Sequence, residues 1–229
     1  MTYHLLPASE SALRLLAFDL DGTLVDSAPA IVETVNQVLR ENQLAPAPYA
    51  AVATLIGLPL ETFWRTFTPL PPGAWDALTD RYRTIYRETA IPATVLFAEV
   101  RAVIEALLGA GYTLTIASSK ITPVSSAVLA QVELLHPFAL LMGNDRVTRP
   151  KPHAEMLTST LAHFGLAASV ALMIGDTTHD IDLGNNAGVR TAVVTTGTHD
   201  HATLLAAAPT AIMASLGELP ALLARFALR

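Results

Sequence analysis

Two aspartates two residues apart, Asp19 and Asp21, directly follow the apolar run Leu15-Leu16-Ala17-Phe18. Carboxylates this close repel each other unless a shared proton or a cation relieves them, and a divalent metal in oxygen ligands does so best. Three other stretches carry groups of related chemistry. Ser118-Ser119-Lys120 offers hydroxyls and the amides that open a helix, Lys151 a cation, and Gly175-Asp176-Thr177-Thr178-His179-Asp180 two more carboxylates. Carboxylates for a metal, with hydroxyls, amides and a lysine for an anion, are the parts of a phosphoryl-transfer site.

The elements that must hold these groups follow from the apolar pattern. Strands are expected at 15–18, 112–117, 138–142, 170–174 and 191–194, with a short one at 211–213. Between them, apolar residues recur at helical spacing, as in Val100, Val103, Ile104, Leu107 and Leu108. Strands alternating with helices imply a parallel sheet covered on both faces, a Rossmann-like α/β fold. Three of the polar clusters fall where a strand ends, and strand 138–142 runs into Gly143-Asn144-Asp145, with Lys151-Pro152 just before the next helix. All four meet at the C-terminal edge of one sheet, where open α/β sheets bind ligands.

One block breaks the alternation. After Asp26 or Ser27 caps a helix with Pro29 in its first turn, residues up to about Thr94 read as helix throughout: 49–56, 60–67 and 74–89. Trp75, Leu78, Tyr82, Ile85, Tyr86 and Thr89 form one stripe, a packing face. The expected organisation is a core of residues 1–26 and 94–229 with an inserted helical domain at 27–93.

The run Asp19-Leu20-Asp21-Gly22-Thr23-Leu24-Val25-Asp26-Ser27 resembles the first motif of the haloacid-dehalogenase-like (HAD) superfamily, D-x-D-G-T-[LV]-x-D-S. Ser118 is similar to its second motif, Lys151 to its third, and Gly175-Asp176-x-x-x-Asp180 to its fourth. The resemblance implies a Rossmann-like core with a helical cap and Mg²⁺ as cofactor. It further implies a metal site of Asp19, the Asp21 carbonyl, Asp176 and Asp180, the last directly, through water, or only as a helix cap. Asp19 would be the nucleophile and Asp21 the general acid and base. Gly22, Thr23, Ser118, Ser119 and Lys151 would hold phosphate. An aspartate of ordinary pKa, about 3.9, is ionised at neutral pH and needs no base to attack.

Within the superfamily, Asp21 counts against a dehalogenase, which resembles this chain in size but lacks that residue. The absence of lysine from 27–93 counts against the phosphonoacetaldehyde hydrolases and β-phosphoglucomutases, which rely on a cap lysine. The phosphoglycolate-phosphatase-like group remains, and Ile56-Gly57-Leu58-Pro59-Leu60 looks like its cap loop. Ser119 departs from it, since many members carry Asn there. The expected activity is hydrolysis of a small phosphorylated metabolite such as phosphoglycolate or a sugar phosphate. The alternatives are a pyrophosphatase, a nucleotidase or a non-catalytic phosphoryl-ligand-binding protein. In the cap, Gly57 and Arg65 are substrate-contact candidates. His153, His179, His199 and His201 show no zinc spacing and are expected at the surface or in supporting places, with His199 a minor candidate for substrate contact.

Composition narrows the rest. A net charge of −6 argues against nucleic acid as a partner, and no apolar run is long enough to span a bilayer. The chain has no cysteine, which removes disulfides, thiolate nucleophiles and zinc–cysteine sites. Residues 1–12 lack a basic leader and do not read as a signal peptide, so a cytoplasmic location is expected.

Overall fold

The computed structural model describes residues 13–227; the stretch 1–12, expected not to be a signal peptide, lies outside them. Six parallel strands form the sheet: β1 (Leu15–Phe18), β4 (Thr113–Ala117), β5 (Leu140–Met142), β6 (Ala171–Gly175), β7 (Arg190–Val194) and β8 (Ala211–Met213), in the order β5-β4-β1-β6-β7-β8. The order reverses between β1 and β6, so the crevice beyond their C-terminal ends is the topological switch point, where such sheets take their ligands.

Burial on both faces explains the continuous apolar runs. Along β1, Leu16 and Phe18 face one apolar cluster while Leu15 and Ala17 face another. In β6, Leu172 and Ile174 join the first, and Ala171 and Met173 the second. Helices Glu155–Phe164 and Thr178–Ala187 cover the second face through Leu157, Leu161 and Leu183.

Two segments missing from the sequence reading are the paired strands β2 (Val25–Asp26) and β3 (Val95–Leu96), which run antiparallel. They bring the two chain crossings of the helical block side by side. Between them lie helices Ala28–Glu41, Tyr49–Ala53, Leu60–Phe67 and Trp75–Ile85, the last continuing as a π-helical turn over Tyr86–Ala90. Leu78, Tyr82, Ile85 and Tyr86 of the expected stripe are buried. Trp64 is fully buried and donates its indole N–H to Thr79, at 2.8 Å. These residues belong to the same apolar cluster as Phe18 and Ile116 of the sheet, so the block has no separate core. Helix His201–Ala206 was also missed; at six residues it is too short for a periodic pattern.

Ser27 precedes the first helix but makes no side-chain cap bond to it. Its buried hydroxyl donates to Asp21, and Pro29 in the first turn has no N–H for it to cap.

Candidate active site

Asp19 leaves β1 at the switch point, its backbone N–H bonded to the Ile174 carbonyl of β6 at 2.8 Å. That bond extends the sheet ladder one residue and fixes where the carboxylate stands. Asp19, Asp176 and Asp180 each bring one carboxylate oxygen to within 4.8 Å of the others. Lys151 stands among them, 3.0 Å from Asp19 Oδ1 and 2.6 Å from Asp180 Oδ1, its side chain 3% exposed.

One lysine cannot balance three carboxylates. Burial pushes Asp19 up to about 7, with Asp180 and Asp21 adding to the rise and Lys151 opposing it. Asp176 is raised well above the carboxylate range by burial, then by Asp180 and Asp19. For Asp180, burial is outweighed by the charge and hydrogen bond of Lys151 and by donors from Thr177, and the net shift is downward. Burial likewise works against the Lys151 ammonium, but Asp180 and Asp19 prevail and hold it charged. The cluster is short of positive charge, and its hard oxygen donors fit a divalent cation. The ordinary carboxylate pKa expected for Asp19 is therefore corrected: in this cluster full ionisation at neutral pH calls for that added charge.

Neighbouring groups hold the carboxylates. Thr23 Oγ1 donates to Asp176 Oδ1 at 3.1 Å, and the Thr198 N–H to Oδ2 at 3.2 Å. Asp180 Oδ2 accepts from Thr177 N, Thr177 Oγ1 and Asp176 N, so Asp180 closes the helix start as well as pairing with Lys151. A Cβ at Gly22, whose φ is +74°, would strike the Asp176 carboxylate, and so would one at Gly197. Only glycine lets both loops close on that carboxylate.

Several expected phosphate contacts have other partners. The Gly22 N–H donates to the Val25 carbonyl at 2.9 Å, and the Thr23 hydroxyl is taken by Asp176, because the turn folds back on itself and on β6. Ser119 and Lys151 line a small cavity with Asp19, Asp21, Asp176 and Asp180. Ser118 is buried, its oxygen accepting from the Lys120 N–H at 3.2 Å. Ile56 and Gly57 of the helical block also line this cavity. Arg65 is not brought to it; it sits exposed on helix Leu60–Phe67. Of the four histidines, His179 does line the cavity, whereas His199 accepts from the Thr178 N–H at 3.1 Å.

Lys120 is the residue that sequence reasoning passed over. Its ammonium lies 2.6 Å from Asp21 Oδ2 and 5.0 Å from the centre of the Tyr86 ring. Asp21 is thus gripped by Ser27 on one oxygen and Lys120 on the other. Being one of only two lysines was the available signal. Gly197 and Thr198 were missed because the loop after β7 carries no charged motif.

The family pattern described as haloacid dehalogenase-like hydrolase matches residues 16–194, and the chain belongs to that family of enzymes, as the motifs implied. It is 36% identical over 208 residues to a probable phosphatase, IndB, of Dickeya dadantii, covering 89% of this chain and 90% of that one. A phosphoglycolate phosphatase of Pectobacterium atrosepticum is 32% identical over 196 residues, 83% of each chain. Among solved structures, a predicted phosphoglycolate phosphatase from Haemophilus somnus superimposes with a TM-score of 0.86 at 25% identity, over 92% of this chain and 97% of that one. Among the described residues no helix is long and apolar enough to cross a membrane.

Proposed function

We propose that the protein is a Mg²⁺-dependent phosphatase that hydrolyses a small phosphomonoester through an aspartyl-phosphate on Asp19. The observation that carries this reading is the convergence of Asp19, Asp176, Asp180 and Lys151 at the switch point, three carboxylates around one buried lysine. Asp19, Asp176, Asp180 and the Asp21 carbonyl would hold the metal, which when bound supplies the charge that keeps Asp19 ionised and offsets that of the phosphate.

Asp19 attacks phosphorus, forming its carboxylate–phosphorus bond as the ester oxygen departs. That oxygen takes a proton from Asp21. Water then attacks the phosphoryl group, returns a proton to Asp21 and frees Asp19 with release of phosphate. Lys151 orients Asp19 and offsets phosphate charge. Residues 27–93 act as a cap whose Ile56 and Gly57 exclude water from the transfer. Likeness to phosphatases over most of the chain supports this reading.

The test is Asp19→Asn. The isostere should fold with an unchanged circular dichroism spectrum yet release no phosphate from p-nitrophenyl phosphate or any alkyl phosphate; turnover above a hundredth of the parent rate excludes Asp19 as nucleophile.

A further inference from the structure

A second cavity of about 330 Å³ adjoins the first, sharing Asp21, Ile56 and Asp176 with it. On the reading above Asp21 faces the leaving oxygen, and because Asp21 lines both cavities the second one is open to the rest of the substrate. Its size is that of a small-molecule site.

Of the three carboxylates around it, Asp21 is paired with Lys120 and Asp176 belongs to the cluster at Asp19, which leaves Asp26 as the unpaired one. Among the described residues no lysine or arginine lines the cavity, while Asp21, Asp26 and Asp176 do. The chain's two lysines are already engaged, Lys151 by Asp19 and Asp180, and Lys120 by Asp21. A carboxylate or second phosphate on the substrate would stand beside Asp26 without a counter-charge, which is costly in a partly enclosed space.

Hydroxyl groups meet the opposite reception. The Asp26 carboxylate accepts from them, and Thr54 lends its outer lone pairs while its own proton goes to Ala51 O at 3.0 Å. Tyr49, 53% exposed, and Phe97 offer aromatic surface for the carbon face of a ring.

Resting on the phosphatase reading above, we infer that this cavity binds the leaving group, and that the leaving group is an uncharged polyhydroxylated ring, a sugar or nucleoside, rather than a hydroxy acid. Phosphoglycolate is then a poor substrate, although relatives carry its name.

With Mg²⁺ present, kcat/KM is measured for ribose 5-phosphate, glucose 6-phosphate, a nucleoside monophosphate, phosphoglycolate and p-nitrophenyl phosphate. At least one neutral-ring ester should exceed phosphoglycolate at least tenfold. Thr54→Arg, at an exposed position, should move that ratio toward phosphoglycolate by a similar factor. Equal or better use of phosphoglycolate by the parent protein, or a ratio unmoved by Thr54→Arg, overturns the inference. Calorimetry on Asp19→Asn, which keeps the cavity without the nucleophile, should show the best ring phosphate bound at least tenfold tighter than phosphoglycolate; parity overturns the inference. That measurement decides the matter even if no ester turns over, an outcome that would sink the phosphatase reading alone.

Discussion

Asp21 is held by two donors of different origin, Ser27 six residues on and Lys120 ninety-nine residues on. Such a grip holds the carboxylate in place, and one donor must give way before Asp21 can carry the proton that it delivers to an alkoxide. Burial works against the Lys120 ammonium, but Asp21 and then Tyr86 and Tyr82 outweigh it, so the residue stays charged. Lys120→Met keeps the length of the stem and removes the charge. Turnover of an alkyl phosphate should fall roughly tenfold to a hundredfold, within the range of a general acid's contribution. The loss should be several times smaller for p-nitrophenyl phosphate, whose leaving group scarcely needs a proton. Equal losses on both would mean that Lys120 serves packing alone.

At the scale of elements, the loop between helices Tyr49–Ala53 and Leu60–Phe67 matters most to the site, because Ile56 and Gly57 line the cavity around Asp19. Gly57 has φ +93°, and a Cβ there would meet nothing within 4 Å. The cost of Gly57→Ala is therefore backbone strain and not collision, about 1 kcal/mol. For a chain of this size the melting temperature should drop by roughly 2–4 °C. If the strained turn sets the loop over the site, KM should rise several-fold as well; an unchanged KM with the expected thermal loss would place the loop away from substrate. The paired strands β2 and β3 gather both crossings into the helical block at one point. Any movement of the block passes through Val25 and Asp26, next to Ser27 and its bond to Asp21.

Across the whole molecule, the carboxylate cluster makes stability depend on pH and on divalent cation together. Asp19 has a folded pKa of about 7 against an ordinary 3.8, and Asp176 is raised as well. Between these limits the folded state holds protons that the unfolded chain has lost, so in metal-free protein these groups lower stability as pH climbs from about 4 to about 7. Asp180, shifted the other way, contributes stability above the ordinary carboxylate range that is lost only in stronger acid. On the metal-dependent reading proposed above, added Mg²⁺ would compete with the protons and bind only the folded cluster. The rise in melting temperature on adding Mg²⁺ should therefore be small near pH 5 and grow to a plateau above pH 7. Metal-free Asp19→Asn should melt above the metal-free parent at pH 8, since one buried charge is gone. A Mg²⁺ effect equal at pH 5 and pH 8 would contradict this account of the cluster.

The sequence by itself determined the parallel sheet, the inserted helices and the meeting of four polar segments at one edge. Each of these follows from local pattern: an apolar run marks a strand, and a carboxylate just beyond it marks the strand's end. Nine residues, Asp19 to Ser27, were enough to indicate the family. What lay beyond that reading depended on partners distant in the chain. β2 and β3 are two residues each, too short to show alternation, and exist only because they meet. The grip of Lys120 on Asp21 and the closure of Gly197 and Thr198 on Asp176 come from loops that the strand order brings together. The pKa of Asp19 departs from its ordinary value for the same reason. Burial and neighbouring charge are properties of the assembled crevice, and no spacing along the chain encodes them.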